Sequence, residues 1–328
     1  MITIEDIRYP VREAFSKYEQ AFAQAMHSDN ARLNEVLDYI HAKAGKQLRP
    51  IIVLLAAEIC RGVTDKTIQT AVALELLHNA SLVHDDVVDS SPMRRGAKSV
   101  QAKWSNKVAV LVGDYMLARV INTITEIHNS QILNIVAGLG MALSSGELLQ
   151  LHANQSMWIT EEQYFQIITQ KTAHLFAACA EAGAESSAAT MRQTTALREF
   201  GKHLGICFQL KDDIFDYADA EEIGKPTMSD IRDGKCTLPL LISLKRAPKD
   251  EAERIKQLAE DFSNDIADPQ DAEQEIKSFV LRYDGLRYTA ARMTEHKKSA
   301  IEALSVFRDS KTKNALLALL DYAVNRDH

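Results

Sequence analysis

Apolar residues recur at helical spacing along most of the chain, and this periodicity constrains the fold more than any other feature. Within residues 30–43, for example, Leu33 and Leu37 fall on the same face of a helix. Only 13 Gly and 7 Pro interrupt the 328 residues, which favours long helices over a sheet with many turns. No strand followed by a Gly-rich turn and a helix is present, so the sequence supports neither a Rossmann fold nor a P-loop. We therefore predict an all-α protein.

The predicted helices belong to one domain over residues 1–328, because no repeat or low-complexity segment divides the chain. The helical stretches are 30–43, 66–89, 105–127, 130–155, 160–183, 191–217, 236–247, 250–261, 271–282, 284–307 and 310–325. Three breaks separate them: Gly45–Pro50, the basic turn Ser90–Lys98, and the charged loop Ala220–Gly234.

Bulk charge and cysteine usage limit the partners and the compartment. The net charge of −7 argues against nucleic acid, whose phosphate backbone demands a basic surface. The apolar runs are too short to span a bilayer, and the N-terminus has no apolar signal segment. The four cysteines form no C-x-x-C pair, which is typical of reduced, buried thiols. We expect a cytoplasmic protein without a membrane span.

Two segments share the pattern D-D-x-x-D, and they contain Asp85, Asp86 and Asp89 in one case and Asp212, Asp213 and Asp216 in the other. Positions four apart lie on one face of a helix, so the first and last carboxylates of each segment should point together. Their mutual repulsion implies a compensating cation. One such segment alone is more typical of a solvated helix end. Because both lie between apolar runs, we favour Mg²⁺, which binds carboxylates, waters and phosphate oxygens.

Basic residues that could bind a phosphorylated ligand accompany these acids, and they are Lys46, Arg49, Arg94, Arg95, Lys171, Lys225 and Lys235. Lys46 and Arg49 flank an expected helix start, where backbone N–H groups also favour anions. Each cation alone is more typical of a surface residue. His78 alone is more often a core histidine, and Gln209 is either a core amide or a ligand contact.

Several motifs, read together, give the chain a resemblance to the trans-type polyprenyl diphosphate synthase family over residues 30–325. The motifs are GKQLRP, ELLHNASLVHDDVVDSSPMRRG, GDYMLA, SGELLQ, KTAHLF, GICFQLKDDIFDY, GKPTMSDIRDGK and TLPL. The resemblance implies an all-α bundle around a deep central cavity, and usually a homodimer. It also implies two substrates, isopentenyl diphosphate and an allylic diphosphate.

The same resemblance assigns roles to individual residues. The six aspartates Asp85, Asp86, Asp89, Asp212, Asp213 and Asp216 would bind Mg²⁺, three ions per site, with the allylic diphosphate. Isopentenyl diphosphate would contact Lys46, Arg49, His78 and Arg95. The allylic diphosphate would contact Arg94, Lys171 and Lys235, with Lys225 nearby, while Thr172 and Gln209 support the reacting centre. Ala44 and Gln47 depart from the family motif G-G-K-R-x-R-P, so weaker support of the intact Lys46/Arg49 pair is expected.

The expected chemistry is ionisation, condensation and elimination. Metal ions and basic side chains stabilise the departing diphosphate, and the double bond of isopentenyl diphosphate attacks the allylic cation. The released diphosphate is the expected base for proton loss. The loop 220–235 is a candidate lid that excludes water.

Two small residues before the first aspartates indicate the product length. Ala80 and Ser81 lie about one helical turn below the metal ligands and would leave a tunnel open, whereas a short-chain enzyme would place an aromatic ring there. The product should therefore exceed fifteen carbons, with roughly thirty to fifty expected from this steric argument. Leu76, Leu77 or Met141 would form the floor.

Other functions remain open at this point. A geranylgeranyl or farnesyl diphosphate synthase is one alternative. A non-catalytic subunit of a heteromeric synthase is another, although such subunits typically lose an acidic cluster and this chain keeps both. A class I terpene cyclase needs no isopentenyl site, so the Lys46/Arg49 pair argues against it. A metal-dependent phosphohydrolase could use His84 and Asp85 but lacks further spaced His ligands.

Overall fold

The computed structural model describes residues 3–43, 45–218 and 227–326, apart from the side chains of residues 155 and 156. It confirms the all-α prediction. Within these ranges the only strands are β1 (Met93–Arg94) and β2 (Ala97–Lys98), which pair antiparallel as a short hairpin.

The helices of the first half are α1 (Ile4–Arg8), α2 (Arg12–Ala25), α3 (Ala31–His41), α4 (Leu48–Cys60), α5 (Asp65–Val88), α6 (Val100–Lys103), α7 (Asn106–Ile127) and α8 (Ser130–Ser156). The second half contains α9 (Glu161–Ile168), α10 (His174–Ser186), α11 (Met191–Phe215), α12 (Ser229–Arg232), α13 (Leu238–Arg246), α14 (Lys249–Ser263), α15 (Pro269–Arg282), α16 (Gly285–Ala303) and α17 (Lys311–Asn325). Short 3₁₀ turns cover Tyr9–Val11 and Leu304–Val306.

The helices foreseen from periodicity are confirmed to within a few residues at most ends. The stretch 160–183 differs, because a π-helical segment, Thr169–Ala173, separates α9 from α10. Helix α2 was not predicted, although its amphipathic face buries Phe15, Tyr18 and Phe22. Helix α4 was also absent from the predicted stretches, and only a helix start beside Lys46 and Arg49 was expected there.

The chain divides into two compact units. The first unit comprises Met1–Gly140, Phe176–Gly201 and Ala303–Leu319, and the second comprises Met141–Leu175, Lys202–Glu302 and Leu320–His328. The expectation of one domain over residues 1–328, and of a central cavity, stays a prediction.

Helix α5 carries the first aspartates and lies in the core of the first unit. Thr64 begins it with a capping box, in which Thr67 reciprocates the hydrogen bond. Close helix packing fixes its surroundings: a Cβ on Gly113 of α7 would lie 2.2 Å from Nε2 of His84. Asp89 is the C-cap, so the acidic segment occupies the last turn of a long, mostly buried helix.

In the second unit, the C-terminal half of α11 carries the second aspartates. Gly285 begins α16 so close to α13 that a Cβ would lie 2.2 Å from the carbonyl oxygen of Pro239. These close approaches favour glycine and keep the helices rigidly packed.

Helices α7 and α8 carry apolar side chains that the structure leaves exposed. Val110, Leu111, Ile121 and Leu133 of the first unit are 41%, 68%, 64% and 44% exposed. Two segments, Asn106–Ile127 and Ser130–Asn154, are long and apolar enough to cross a membrane by length and composition alone. Core helices of soluble proteins pass the same test, so the expectation of no membrane span stays a prediction.

Candidate active site

The last turn of α5 presents the three carboxylates of the first cluster in different environments. Asp85 is half-buried and Asp89 is exposed, and they lie one turn apart, with the Asp89 amide donating to the Asp85 carbonyl at 2.8 Å. Asp86 is only 3% exposed. The two accessible carboxylates are therefore the pair that sequence spacing predicted to point together.

Asp86 is engaged by Arg94 of the hairpin. The Nε and Nη2 atoms of Arg94 donate to Oδ1 of Asp86 at 2.8 and 2.5 Å. Burial raises the pKa of Asp86, while the Arg94 hydrogen bond and charge oppose that rise. Arg95 and Gly96 both have positive φ, as a type I′ turn requires, and this turn brings Arg94 back to α5.

The residues expected to bind isopentenyl diphosphate lie around the start of α4. Lys46 is exposed and Arg49 is half-buried, with its guanidinium 5.5 Å from the ring centre of Phe176. Arg95 donates to the Lys43 carbonyl at 2.8 Å. His78 is 5% exposed, and burial followed by the positive charges of Arg49, Arg95 and Arg94 lowers its pKa well below 6.5. The imidazole is therefore neutral beside these cations.

Sequence reasoning missed Glu75, which lies one turn before His78 and is 2% exposed. Burial raises its pKa, and the positive charge of Arg49 is the largest opposing influence. An acid inside the apolar run LELLH was the available signal. Glu75 partly balances the positive charge of this region.

The residues expected to shape the tunnel are small and enclosed. Ala80 is fully buried, whereas Ser81 is half-buried and donates to the His78 carbonyl at 2.9 Å. Leu76 and Leu77 are buried, but Met141 is 70% exposed. Met141 therefore lies at a surface, unlike the two leucines.

The second cluster contains a hydrogen-bonded chain across three helical segments. Thr172 donates to Oε1 of Gln209 at 2.9 Å, and Nε2 of Gln209 donates to Oδ1 of Asp213 at 2.9 Å. The hydroxyl of Tyr164 donates to Oδ2 of Asp213. Tyr164 was not foreseen, because only the tertiary fold brings α9 to this position. These hydrogen bonds fix the orientation of the Asp213 carboxylate.

Two further acids lie beside Asp213. The carboxylate of Asp216 accepts from the backbone N–H and hydroxyl of Ser229, both at 2.9 Å, and from the backbone N–H of Asp230 at 3.1 Å. Burial raises the pKa of Asp230, and Asp216 and Asp213 raise it further. Burial also raises the pKa of Asp213 to about 7, again with neighbouring carboxylates contributing. Negative charge is concentrated here without full compensation.

Five residues predicted from the sequence line one cavity of about 120 Å³ in the second unit, together with Asp230, and they are Lys171, Thr172, Gln209, Asp213 and Lys235. Lys171 lies in the π-helical segment, a feature common at functional sites, and its Nζ is 2.6 Å from Glu147. Nζ of Lys235 lies 2.8 Å from Oδ2 of Asp233. Glu147, in the motif SGELLQ, was another partner that sequence reasoning missed.

Asp212 and Asp216 have different partners, although their spacing predicted that they point together. Oδ1 of Asp212 accepts from Nη2 of Arg326 at 2.7 Å, whereas Asp216 caps α12. Arg326 carried no signal in the sequence. Lys225 and residues 220–226 of the predicted lid, together with Ala44, lie outside the described residues.

The donor set of both clusters suits a hard divalent cation. Every candidate ligand is a carboxylate oxygen, and the accumulated charge around Asp213, Asp216 and Asp230 would be relieved by a cation. Among the described residues, no three His, Cys, Asp or Glu side chains already converge as a metal site. Such a cation would therefore take water and diphosphate oxygens as its other ligands, as Mg²⁺ usually does.

Comparison with known proteins gives one consistent result. The chain is 32% identical over 329 residues to the octaprenyl diphosphate synthase of Haemophilus influenzae, covering 100% of this chain and 98% of that protein. The structure of a Caulobacter crescentus polyprenyl synthase complexed with calcium and isoprenyl diphosphate superposes with a TM-score of 0.91 at 32% identity, covering 99% and 98% of the two chains. The geranylgeranyl pyrophosphate synthase of Bacteroides thetaiotaomicron has a TM-score of 0.84 at 38% identity, covering 98% and 99%. The sequence matches the polyprenyl synthetase family over residues 30–277, and the chain belongs to that family.

Proposed function

We propose that the chain condenses isopentenyl diphosphate with an allylic diphosphate and releases a medium-to-long trans-polyprenyl diphosphate. One observation carries the proposal: the cavity beside Asp213 gathers Lys171, Thr172 and Gln209, which the sequence had named independently. Lys171 and Lys235 supply positive charge that suits a diphosphate. The Asp213 carboxylate lies in the same cavity and is held in a fixed orientation. The octaprenyl product named for the Haemophilus relative agrees with this product class.

The side chains divide the work between binding and orientation. Lys46, Arg49 and Arg95 bind the diphosphate of isopentenyl diphosphate, and neutral His78 donates to it. Lys171, Lys235 and Arg94 bind the allylic diphosphate, with Thr172 and Gln209 orienting its reacting end; these two lists follow the family resemblance. Lysine and arginine favour the departing diphosphate because its charge grows as the bond breaks. Apolar walls exclude the water that would quench an allylic cation.

The two aspartate clusters hold the metal, which we propose is Mg²⁺ with three ions per site. When bound, Mg²⁺ supplies Lewis-acid stabilisation of the leaving diphosphate. Asp85 and Asp89 are the accessible ligands of the first cluster, and Asp212 is the accessible one of the second. A cytoplasmic location is part of the same proposal.

The decisive experiment uses the purified chain alone. It is incubated with Mg²⁺, labelled isopentenyl diphosphate and each allylic primer in turn, and the products are sized. We expect one dominant product longer than fifteen carbons. A product of fifteen or twenty carbons would favour the shorter-chain alternative, for which the 38% identity to a geranylgeranyl pyrophosphate synthase is the supporting observation. No product with any primer would favour a non-catalytic subunit of a heteromeric synthase.

Product length can be tested at the helix that carries the first cluster. Phenylalanine at position 80 or 81 should block the path of the growing chain, so Ala80→Phe and Ser81→Phe should each shorten the product. Ser81→Phe is the more informative variant, since Ser81 is half-buried and a ring there does not overpack the core. An unchanged product from a folded Ser81→Phe enzyme would refute this account of chain length.

We also propose a homodimer, formed through the exposed apolar side chains of α7 and α8. Leu111 and Ile121 are exposed over about two thirds of their surface, at 68% and 64%, and a second copy of the chain would bury such apolar side chains. Leu111→Glu should produce monomers in sedimentation velocity. Leu281→Glu, at a residue 64% exposed on α15, is the matched control and should leave the dimer intact.

A further inference from the structure

Arg326 lies against the second aspartate cluster in a closely fitted position. Its Nη2 donates to Oδ1 of Asp212 at 2.7 Å and to the carbonyl oxygen of Phe208 at 3.0 Å. Its guanidinium carbon lies 3.8 Å from the ring centre of Phe208 and 5.6 Å from that of Phe215. Phe208, Asp212 and Phe215 follow the i, i+4, i+7 spacing of one face of α11. Arg326 therefore occupies that face.

This arrangement differs from an ordinary surface ion pair. The Arg326 side chain is only 10% exposed, and its Nε is buried without a hydrogen-bond partner in the described structure. The preceding turn is anchored, because Leu320 and Ala323 are buried and Asp321 pairs with Lys297 of α16 at 2.7 Å. Burial and anchoring make Arg326 an ordered cation, unlike an exposed side chain that samples many conformations.

The electrostatics of the second cluster explain why a cation is favourable at this position. Asp212 lies next to Asp213 and one turn before Asp216, and both of those carboxylates are buried. Without a metal, three neighbouring carboxylates repel one another, and Arg326 offsets the charge of the most accessible one. A divalent cation on Asp212 would meet the positive charge of Arg326 at close range.

We propose that Arg326 is a place-holder cation: it occupies Asp212 in the metal-free protein and leaves when a divalent cation binds there. The inference rests on the proposed metal role of Asp212. Metal loading and release of the Arg326 side chain from α11 are then coupled, since the metal removes the carboxylate that anchors Arg326. The coupling is reciprocal, because a firmly docked Arg326 weakens metal binding.

Metal affinity tests the proposal without any substrate. Binding of Mn²⁺ alone is followed by the electron paramagnetic resonance signal of the free ion. Removing the competing charge with Arg326→Gln should tighten Mn²⁺ binding about tenfold, whereas Arg326→Lys keeps the charge and should stay within about twofold of the parent. Arg308→Gln, at an exposed arginine, is the control for loss of one positive charge and should match the parent. In an Asp212→Asn background, Arg326→Gln should have no effect.

A second measurement uses only the parent protein, so it does not depend on how the variants fold. Mn²⁺ should accelerate hydrogen exchange of the Arg326 backbone N–H, which donates to the Tyr322 carbonyl oxygen at 2.9 Å. Unchanged exchange on metal binding, or Mn²⁺ binding to folded Arg326→Gln that is no tighter than to the parent, would overturn the proposal. Neither readout involves prenyl transfer. If the chain makes no polyprenyl product, the proposed function is refuted. The Mn²⁺ binding and hydrogen-exchange results would still test the role of Arg326.

Discussion

The two aspartate clusters have the same D-D-x-x-D sequence, but the structure gives them different surroundings. In the first, Asp85 and Asp89 are accessible and only Asp86 is buried, where Arg94 compensates it. In the second, the relation is reversed: Asp213 and Asp216 are buried and only Asp212 is accessible, where Arg326 pairs with it. The first cluster thus has two solvent-accessible carboxylates and the second has one.

The difference shows that a motif determines spacing but does not determine electrostatics. Helical geometry alone predicts that the first and last acids of each cluster share a face. In the second cluster, however, the Asp216 carboxylate accepts hydrogen bonds from the backbone N–H and the hydroxyl of Ser229 at the start of α12. The same five-residue pattern therefore gives an accessible pair of carboxylates at one place and a network of hydrogen-bonded, buried carboxylates at the other.

The largest effect is expected from removing the accessible ligand of each cluster. Asp85→Ala and Asp212→Ala should each lower kcat about a thousandfold or more, because each removes a carboxylate that the metal requires. Asp38→Ala, at an exposed residue of α3, is the control and should match the parent. Steady-state kinetics at saturating Mg²⁺ decides the outcome, and near-normal turnover of either variant would contradict the proposed chemistry.

A smaller effect is expected at Asp86, the buried acid of the first cluster. If Asp86 acts through Arg94, then Asp86→Asn and Arg94→Gln should each raise KM for the allylic substrate, by about tenfold to a hundredfold. The double variant should be no worse than either single one, because both changes break the same ion pair. A loss as large as that of Asp85→Ala would instead identify Asp86 as a metal ligand.

The pH dependence should come from the second cluster. The pKa of Asp213 rises from 3.8 to about 7 because the group is buried among other carboxylates. Between these values the native metal-free protein binds more protons than the unfolded chain, so this group's contribution to stability is present at low pH. That contribution is lost as pH rises through about 7.

Metal binding should show the opposite trend, because it needs the ionised carboxylate. Mg²⁺ affinity should rise about tenfold per pH unit up to the pKa of Asp213 and then level off. Calorimetric Mg²⁺ titration at several pH values, repeated with Asp213→Asn, measures this trend. A parental slope that persists in Asp213→Asn would assign the titration to another group.

The sequence predicted much of this molecule because local rules decide much of it. Helical periodicity located α5 and α11, and the motifs named Lys171, Thr172, Gln209, Asp213 and Lys235, which line one cavity. The start of α4 at Leu48 also agrees with the expected helix start beside Lys46 and Arg49. These features depend on spacing within a segment or on motifs of a recognisable family.

The partners of those residues could not be predicted, because they come from segments far away in sequence. Tyr164 reaches Asp213 across 49 positions, and Arg326 reaches Asp212 across 114. Glu147 beside Lys171 belongs to another helix, and only folding brings the two together. Glu147 and Asp230 did lie inside quoted motifs, but nothing in the sequence showed which cation or carboxylate each would face.

The smallest effect concerns the support of the second cluster by α8, where two glycines offer a matched pair. A Cβ on Gly146 would lie 3.0 Å from Cβ of Gln170 and 3.1 Å from the backbone nitrogen of Lys171, whereas Gly138 has open space. Gly146→Ala should therefore displace the π-helical segment and lower kcat a few-fold, at a stability cost of about 1 kcal/mol. Gly138→Ala should leave kcat unchanged and stabilise the helix by up to about 1 kcal/mol. Kinetics and thermal denaturation of both variants test the difference, and equal kcat values would show that close packing at Gly146 does not position Lys171.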